Sequence, residues 1–169
     1  QLCQSNKKII VYAPTFRKDD HLLYNAIKEL IDVIDFNQYH LVLKLHPLTT
    51  FHIHDSRIIE DHQYTSLEFF HVANYIITDY SAVIFEASLL NKPLFFYAFD
   101  YEEYMRKRNM YIDYLHDLPG TIFQSPKSLI ESLNHPQRYD IQSFAHKMIA
   151  KPQTTYTQDI VRFMMEQWK

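Results

Sequence analysis

Short β-type runs alternate with amphipathic helical stretches along almost the whole chain, and that alternation constrains the fold more than any other feature. Lys8–Ala13, apolar from Ile9 onward, reads as a buried strand, stopped by Pro14. Leu22, Leu23, Ala26, Ile27, Leu30, Ile31 and Ile34 then recur at helical spacing, predicting an amphipathic helix over about 20–35. Tyr39 to Leu45 is the next strand, ended by His46-Pro47, and Arg57-Ile58-Ile59 is a weak, short one. Ser66–Val72 fits a short helix, followed by strand Tyr75–Ile77, a helix over Ser81–Leu90 and strand Pro93–Tyr97, whose proline stands at the strand start. Tyr101–Arg108 is a charged helix, and Thr121-Ile122-Phe123 is an edge strand. Ser125-Pro126 opens a helix with proline at its first position. Asp140–Ala150 and Thr157–Trp168 read as closing helices. Such alternation builds an α/β fold, a parallel sheet with helices on both faces, and 169 residues suit a single domain, 1–169.

Composition narrows the chemistry. The only glycine is Gly120, so neither a P-loop nor a G-x-G-x-x-G fingerprint is present, and any phosphate site must use helix N-termini, hydroxyls and cationic side chains. A net charge of -3, with no run of lysine and arginine, argues against a nucleic-acid partner. Cys3 is alone, so no disulfide framework is expected within the chain. No apolar run approaches the roughly 20 residues that cross a bilayer. The chain opens on Gln1 and is expected to be a piece of a larger protein.

In parallel α/β sheets, ligands sit beyond the carboxyl ends of the strands. The first such end is Ala13-Pro14-Thr15-Phe16-Arg17. Arg17 is placed to grip phosphate with two parallel hydrogen bonds, the alternative being a solvated loop arginine. The second is Lys44-Leu45-His46-Pro47. Pro47 holds His46 extended, and its imidazole can donate to a phosphate oxygen or move a proton, unless it is a loop histidine without a role. His52, His54 and His62 follow; His-x-His resembles half a metal site, but no cysteine or carboxylate stands at matching spacing, so no metal is expected. The third end is Thr78-Asp79-Tyr80-Ser81, where a strand gives way to a helix whose free N–H groups and dipole can hold an anion. Asp79 and Ser81 are also good helix caps and need do no more than that. Glu86 lies one turn below Ala82 on the same face, where a carboxylate can accept both hydroxyls of a ribose; the alternative is an exposed helix residue.

Four segments in this order, APTFR (13–17), LKLHP (43–47), ITDYS (77–81) and KPLFFY (92–97), resemble the CDP-glycerol glycerophosphotransferases of wall teichoic acid synthesis, the TagB/TagF type, including CDP-ribitol-using relatives. Asp100-Tyr101, Arg108, Tyr111-Ile112-Asp113-Tyr114 and Pro119-Gly120 continue the pattern. The resemblance implies a GT-B architecture of two Rossmann-like halves, with this chain as the C-terminal, donor-binding half. It implies transfer of a polyol phosphate from CDP-glycerol or CDP-ribitol to a hydroxyl of a lipid-linked polymer, with release of CMP and no cofactor or metal. The acceptor would bind through an N-terminal half outside this chain. The resemblance also implies a cytoplasmic enzyme, peripheral at the inner face of the cell membrane. By position, His46 would contact or protonate the donor phosphates. Thr15, Arg17, Thr78, Asp79, Tyr80 and Ser81 would line the diphosphate, with Glu86 at the ribose and Arg108 and Asp113 nearby. Three positions depart from the pattern: Ala82 replaces a second serine, Asn109 replaces the glycine of an Arg-Gly pair, and an Asp-Gly pair is missing from 151–157. A non-catalytic binding or scaffolding module of the same fold, or a GT-B glycosyltransferase using a nucleotide sugar, are the alternatives. The apolar residues Val161, Phe163, Met164, Met165 and Trp168 are expected to pack on the other half rather than on a membrane.

Overall fold

The computed structural model describes residues 2–108, 110–135, 139–149 and 155–168. Its strands are β1 (Lys8–Ala13), β2 (Tyr39–Leu43), β3 (Ile58–Glu60), β4 (Tyr75–Thr78), β5 (Leu94–Tyr97) and β6 (Ile122–Phe123). All five neighbouring pairs are parallel, in the order β3-β2-β1-β4-β5-β6. The order reverses between β1 and β4. Crevices that bind ligands form at such a reversal, outside the strands' carboxyl ends.

The helices are α1 (Asp20–Val33), α2 (Ser66–Val72), α3 (Val83–Leu89), α4 (Tyr101–Lys107), α5 (Pro126–Asn134), α6 (Ile141–Met148) and α7 (Tyr156–Gln167). Helices α1 and α5 cover one face of the sheet and α2, α3 and α6 the other, as the alternation of elements requires. Ile10 and Tyr12 of β1 point to one side, packing with Leu23, Ile27 and Ile31 of α1 and Leu129 and Leu133 of α5. Ile9, Val11 and Ala13 point to the other, packing with Phe69 and Phe70 of α2, Ile84 and Ala87 of α3, and Phe144 of α6. A strand buried on both faces must be apolar at every position, which is why β1 shows no polar alternation after Lys8.

Local signals fix several boundaries. The Asp19 side chain accepts the His21 N–H at the start of α1, and Asp140 caps α6 through Ser143. Thr65 and Glu68 form a reciprocal capping box on α2. One boundary differs from expectation in a way that touches the site. The helix expected from Ser81 begins at Val83 and has only seven residues, with Ala82 at the cap and no side-chain cap bond. Ala82 sits in the helical region (φ -61°, ψ -12°), so the chain turns before the helix proper starts. After α3, Asn91 takes the left-handed conformation (φ 50°) that glycine usually fills at a helix end, and it does so in a chain with one glycine. That glycine, Gly120, is needed elsewhere. A Cβ there would lie 2.9 Å from the Phe96 ring and 3.0 Å from the Leu94 carbonyl oxygen, closer than a methyl group can sit.

Helix α7 buries none of its residues; Val161, Phe163, Met164 and Met165 are exposed on it, and Trp168 is exposed just after it. No helix among the described residues is long and apolar enough to cross a membrane.

Candidate functional site

Where β1 and β4 end side by side, their polar residues close the switch point with one network. Asp79, 0 % exposed, accepts the backbone N–H of Thr15 at 2.8 Å and its hydroxyl at 2.6 Å, both on Oδ1. Its other oxygen accepts Arg17 Nη2 at 2.9 Å. The same guanidinium reaches the carboxylate of Asp100, after β5, through Nε (2.8 Å) and Nη2 (3.1 Å), and Nη1 donates to the Thr15 carbonyl at 2.7 Å. Four of the five guanidinium N–H groups are engaged in this way. Aromatic rings of Tyr80, Phe99 and Tyr104 surround the Arg17 guanidinium at 4.9–5.3 Å. Tyr80 stacks on Tyr104 with centroids 3.7 Å apart and donates its hydroxyl to Asp100 at 3.1 Å.

The electrostatics of this floor are unusual for a phosphate site, because one buried cation faces two carboxylates. Burial pushes the Asp79 carboxyl upward, against the pull of Arg17 and Thr15. Burial also works against the Arg17 charge. The bond to Asp100 and the field of Asp79 outweigh it and hold the guanidinium firmly protonated. Desolvation, then Asp100, push the Tyr80 phenol up, so it stays a donor. Arg17, expected as a free phosphate grip, therefore spends its hydrogen bonds inside the protein. Thr78, also 0 % exposed, donates its hydroxyl to the Ala13 carbonyl at 2.8 Å and serves the β1–β4 seam.

Above this floor lies a cleft of about 470 Å³, within the size range of small-molecule sites. Its walls are the loop after β1 with the start of α1 (Phe16, Lys18, Asp19, Leu22) and α4 with the residue that follows it (Glu103, Tyr104, Lys107, Arg108), with Arg17 and Asp100 also lining it. Lys18, Lys107 and Arg108 are exposed cations, Lys107 being paired with Glu103. His46 stands at the same end of the sheet, its ring 5.8 Å from that of Phe16. Its Nδ1 accepts the Leu48 backbone N–H at 3.1 Å. In the neutral ring the proton is therefore on Nε2, and the exposed imidazole is a donor at that atom.

The remaining expected residues divide. Ser81 is partly exposed beyond the network, and its hydroxyl accepts the Val83 N–H at 3.4 Å within the turn before α3. Glu86 is exposed on the first turn of α3. Neither lines the cleft. Asp113 lies away from it too, closing a turn by accepting from the Leu115 and His116 backbone N–H groups and from the His116 ring at 2.9 Å. Asn109 and residues 151–154 of the expected departures lie outside the described residues.

Three residues here are not among those expected at the site, Asp100 standing only in the downstream pattern. Asp100, Tyr104 and Phe99 complete the Arg17 cage, and the signal available for them was an acidic residue and aromatics at a fourth strand end, after β5. A further cluster involves the histidines. His52 Nδ1 and His62 Nε2 both contact Glu60 Oε1, at 2.7 and 3.0 Å, so the carboxylate that spacing did not reveal is at the end of β3. His54 is not in the cluster.

Comparison with known proteins identifies the family and the fold. Residues 3–165 match the family described as CDP-Glycerol:Poly(glycerophosphate) glycerophosphotransferase. A teichoic acid glycerol-phosphate primase of Bacillus subtilis is 33% identical over 173 residues, covering 94% of this chain and 43% of that protein. A teichoic acid poly(ribitol-phosphate) polymerase of Bacillus spizizenii is 33% identical over 160 residues, covering 83% of this chain and 25% of the relative. The chain thus spans less than half the length of these relatives. Among solved structures, the wall teichoic acid polymerase TagF, in a variant soaked with CDPG, matches 96% of this chain and 43% of its own at 30% identity and a TM-score of 0.67. The glycosyltransferase SnogD from Streptomyces nogalater, 11% identical over 95% of this chain and 44% of its own, shares the fold at a TM-score of 0.56. The fold is the Rossmann-like one found in GT-B transferases, and by sequence the chain belongs to the CDP-glycerol:poly(glycerophosphate) glycerophosphotransferase family.

Proposed function

We propose that this chain is the donor-binding part of a transferase that moves glycerol phosphate or ribitol phosphate from a CDP-polyol to a hydroxyl of a lipid-linked teichoic acid acceptor, releasing CMP. The observation that carries the reading is the cleft itself: it lies over the carboxyl ends of β1 and β5, on either side of β4, with an ion-paired floor and a rim where Lys18, Lys107 and Arg108 stand with Asp19 and Glu103. Family membership supports the reaction class.

In the reaction, the acceptor oxygen bonds to the polyol-bearing phosphorus as the anhydride bond to CMP breaks. The acceptor proton goes to a base on the acceptor side, and negative charge grows on the departing CMP oxygen. His46 meets that charge with its Nε2–H, a donor whose tautomer is set in advance by Leu48. Because the floor carries more carboxylate than cation, Arg17 and Asp79 act as positioning residues. They hold Thr15 and the loop after β1, while Lys18, Lys107 and Arg108 at the rim neutralise the diphosphate. Ser81, Tyr80 and Thr78 shape the turn beside it, with Glu86 exposed on α3 outside the cleft. Asp113 stabilises its own turn. The acceptor site belongs to a second half of the full-length protein, which works at the inner face of the membrane.

Calorimetric titration with CDP-glycerol, CDP-ribitol, CMP and a UDP-sugar tests this. Binding of the cytidine compounds in preference to the UDP-sugar is expected. Absence of heat from all three cytidine ligands at millimolar concentration would overturn donor binding. It would favour the second reading, a scaffolding module of the same fold, which the uncapped seven-residue α3 supports. Preference for the UDP-sugar would indicate a glycosyltransferase.

A further inference from the structure

On the far side of the sheet from α4, the loop after β2 returns to the edge strand β3 through a cluster of three ligand-type side chains. Glu60, whose side chain is 12 % exposed, stands between two exposed imidazoles. His52 Nδ1 and His62 Nε2 approach the same carboxylate oxygen, Oε1, from two sides, with their rings 5.7 Å apart and nearly perpendicular. The second oxygen is held at 3.0 Å by the backbone N–H of Ile53, which anchors the loop in the core as a buried side chain. The three ligand atoms lie within 4.8 Å of one another. We infer that His52, Glu60 and His62 form a binding site for a borderline divalent transition metal ion such as Zn²⁺, which clamps the loop carrying His46 to the end of β3.

Chemistry and geometry both support the assignment. Two imidazoles and a carboxylate are a common three-residue set for zinc, with a fourth position left for water or another ligand. In a tetrahedral centre with bonds of roughly 2.0–2.1 Å, ligand atoms stand about 3.3 Å apart. The two histidine–glutamate separations of 2.7 and 3.0 Å are a few tenths of an ångström shorter, and the exposed rings can open to admit an ion without moving the backbone. The Ile53 N–H supplies the outer support that orients a ligating carboxylate. The ion would close a ring between residue 52, in the loop that begins just after β2, and residues 60 and 62. His46 is six residues before the first ligand, so the clamp sits on the segment that presents it. The inference does not depend on the donor reading, since its primary readout is metal binding.

Equilibrium dialysis of the chain against Zn²⁺, with Mg²⁺ as the hard-cation comparison, and absorption spectroscopy of the Co²⁺ form test it. One Zn²⁺ per chain is expected, with a tetrahedral Co²⁺ spectrum and no competition from Mg²⁺. Losing a ligand should cost no less than the roughly 10–100-fold in affinity that loss of an outer-shell partner costs, so His52→Ala, His62→Ala and Glu60→Gln should each weaken binding by at least about tenfold. His54→Ala, an exposed histidine two residues from His52, should leave it unchanged. Far-ultraviolet circular dichroism confirms that each variant is folded. Equal loss in His54→Ala, or unchanged binding in the three ligand variants, would overturn the site.

Discussion

At the scale of single residues, Arg17 and His46 illustrate how differently two polar residues beside one cleft are used. Arg17 is 7 % exposed and caught between Asp79 and Asp100. Replacing it with an apolar side chain of similar length leaves two buried carboxylates facing each other. Arg17→Met should therefore cost about 3–5 kcal/mol at pH 7, read by urea denaturation. The pH dependence follows from the direction of the Asp79 shift. Burial has already raised that carboxyl, and removing the guanidinium raises it further, so the folded state of the variant binds a proton more tightly than the unfolded state. The variant's share of stability from this group is then present at low pH and lost as pH rises through the folded value. The deficit relative to the parent should shrink between pH 7 and pH 5. His46 is exposed and its substitution removes no buried contact. His46→Ala should change stability by less than about 0.5 kcal/mol. In the full-length protein it should lower transfer by roughly 10²–10⁴-fold, the range for a lost general acid or base. Equal losses of stability and activity would mean that His46 acts only through the fold.

Among the elements, each boundary has a cause that one substitution can remove. The α2 capping box satisfies the Glu68 N–H through Thr65 and the Thr65 N–H through Glu68. Thr65→Ala should cost about 0.5–2 kcal/mol. The loop entering β6 approaches β5 so closely at Gly120 that no methyl group fits against Phe96 and the Leu94 carbonyl. Gly120→Ala should cost about 1–3 kcal/mol through overpacking, although the backbone there has no positive φ to forbid alanine. Equilibrium urea unfolding checks both, and a neutral Gly120→Ala would mean that the loop shifts freely. The β-type and helical periodicities located β1, α2 and β5 to within a residue, because burial of one or both faces leaves that pattern in the side chains. The start of α3 was not legible. Ser81 is a good cap by residue type, but its hydroxyl bonds Val83 from within a preceding turn, and that turn is decided by the seam between β1 and β4.

For the whole molecule, carboxylates at caps and turns contribute to the acid side of the stability curve. Thr65 holds Glu68 below its usual range, Ser143 does so for Asp140, Lys147 for Asp117 and His116 for Asp113. A depressed folded value adds stability above the unfolded value of about 4, and that stability is lost as pH falls through the folded one. Urea midpoints should hold steady from pH 7 to about pH 5 and fall steadily below pH 4. Asp79 contributes with the opposite sign, so Asp79→Asn should steepen that acid-side fall while lowering stability at neutral pH. A midpoint that stays level down to pH 3 would mean that these exposed caps carry no linkage.

What the amino-acid order determined by itself is the list of elements, the two-sided sheet and the family. Each rests on local periodicity or on short motifs that survive in linear form. Gathering polar residues at the strand ends was also legible, because parallel strands of an α/β sheet all finish on one edge. Tertiary structure alone decided which of those residues face solvent and which neutralise one another. Arg17 and Asp79 are 62 positions apart and Arg17 and Asp100 are 83 apart, and only the adjacency of β1, β4 and β5 turns a string of candidate ligands into a buried ion-pair floor. The same holds for Glu60, which meets His52 because β3 brings the chain back beside its own loop. A charge's role depends on what lies within a few ångströms of it, and that distance is a property of the folded sheet rather than of the order of residues.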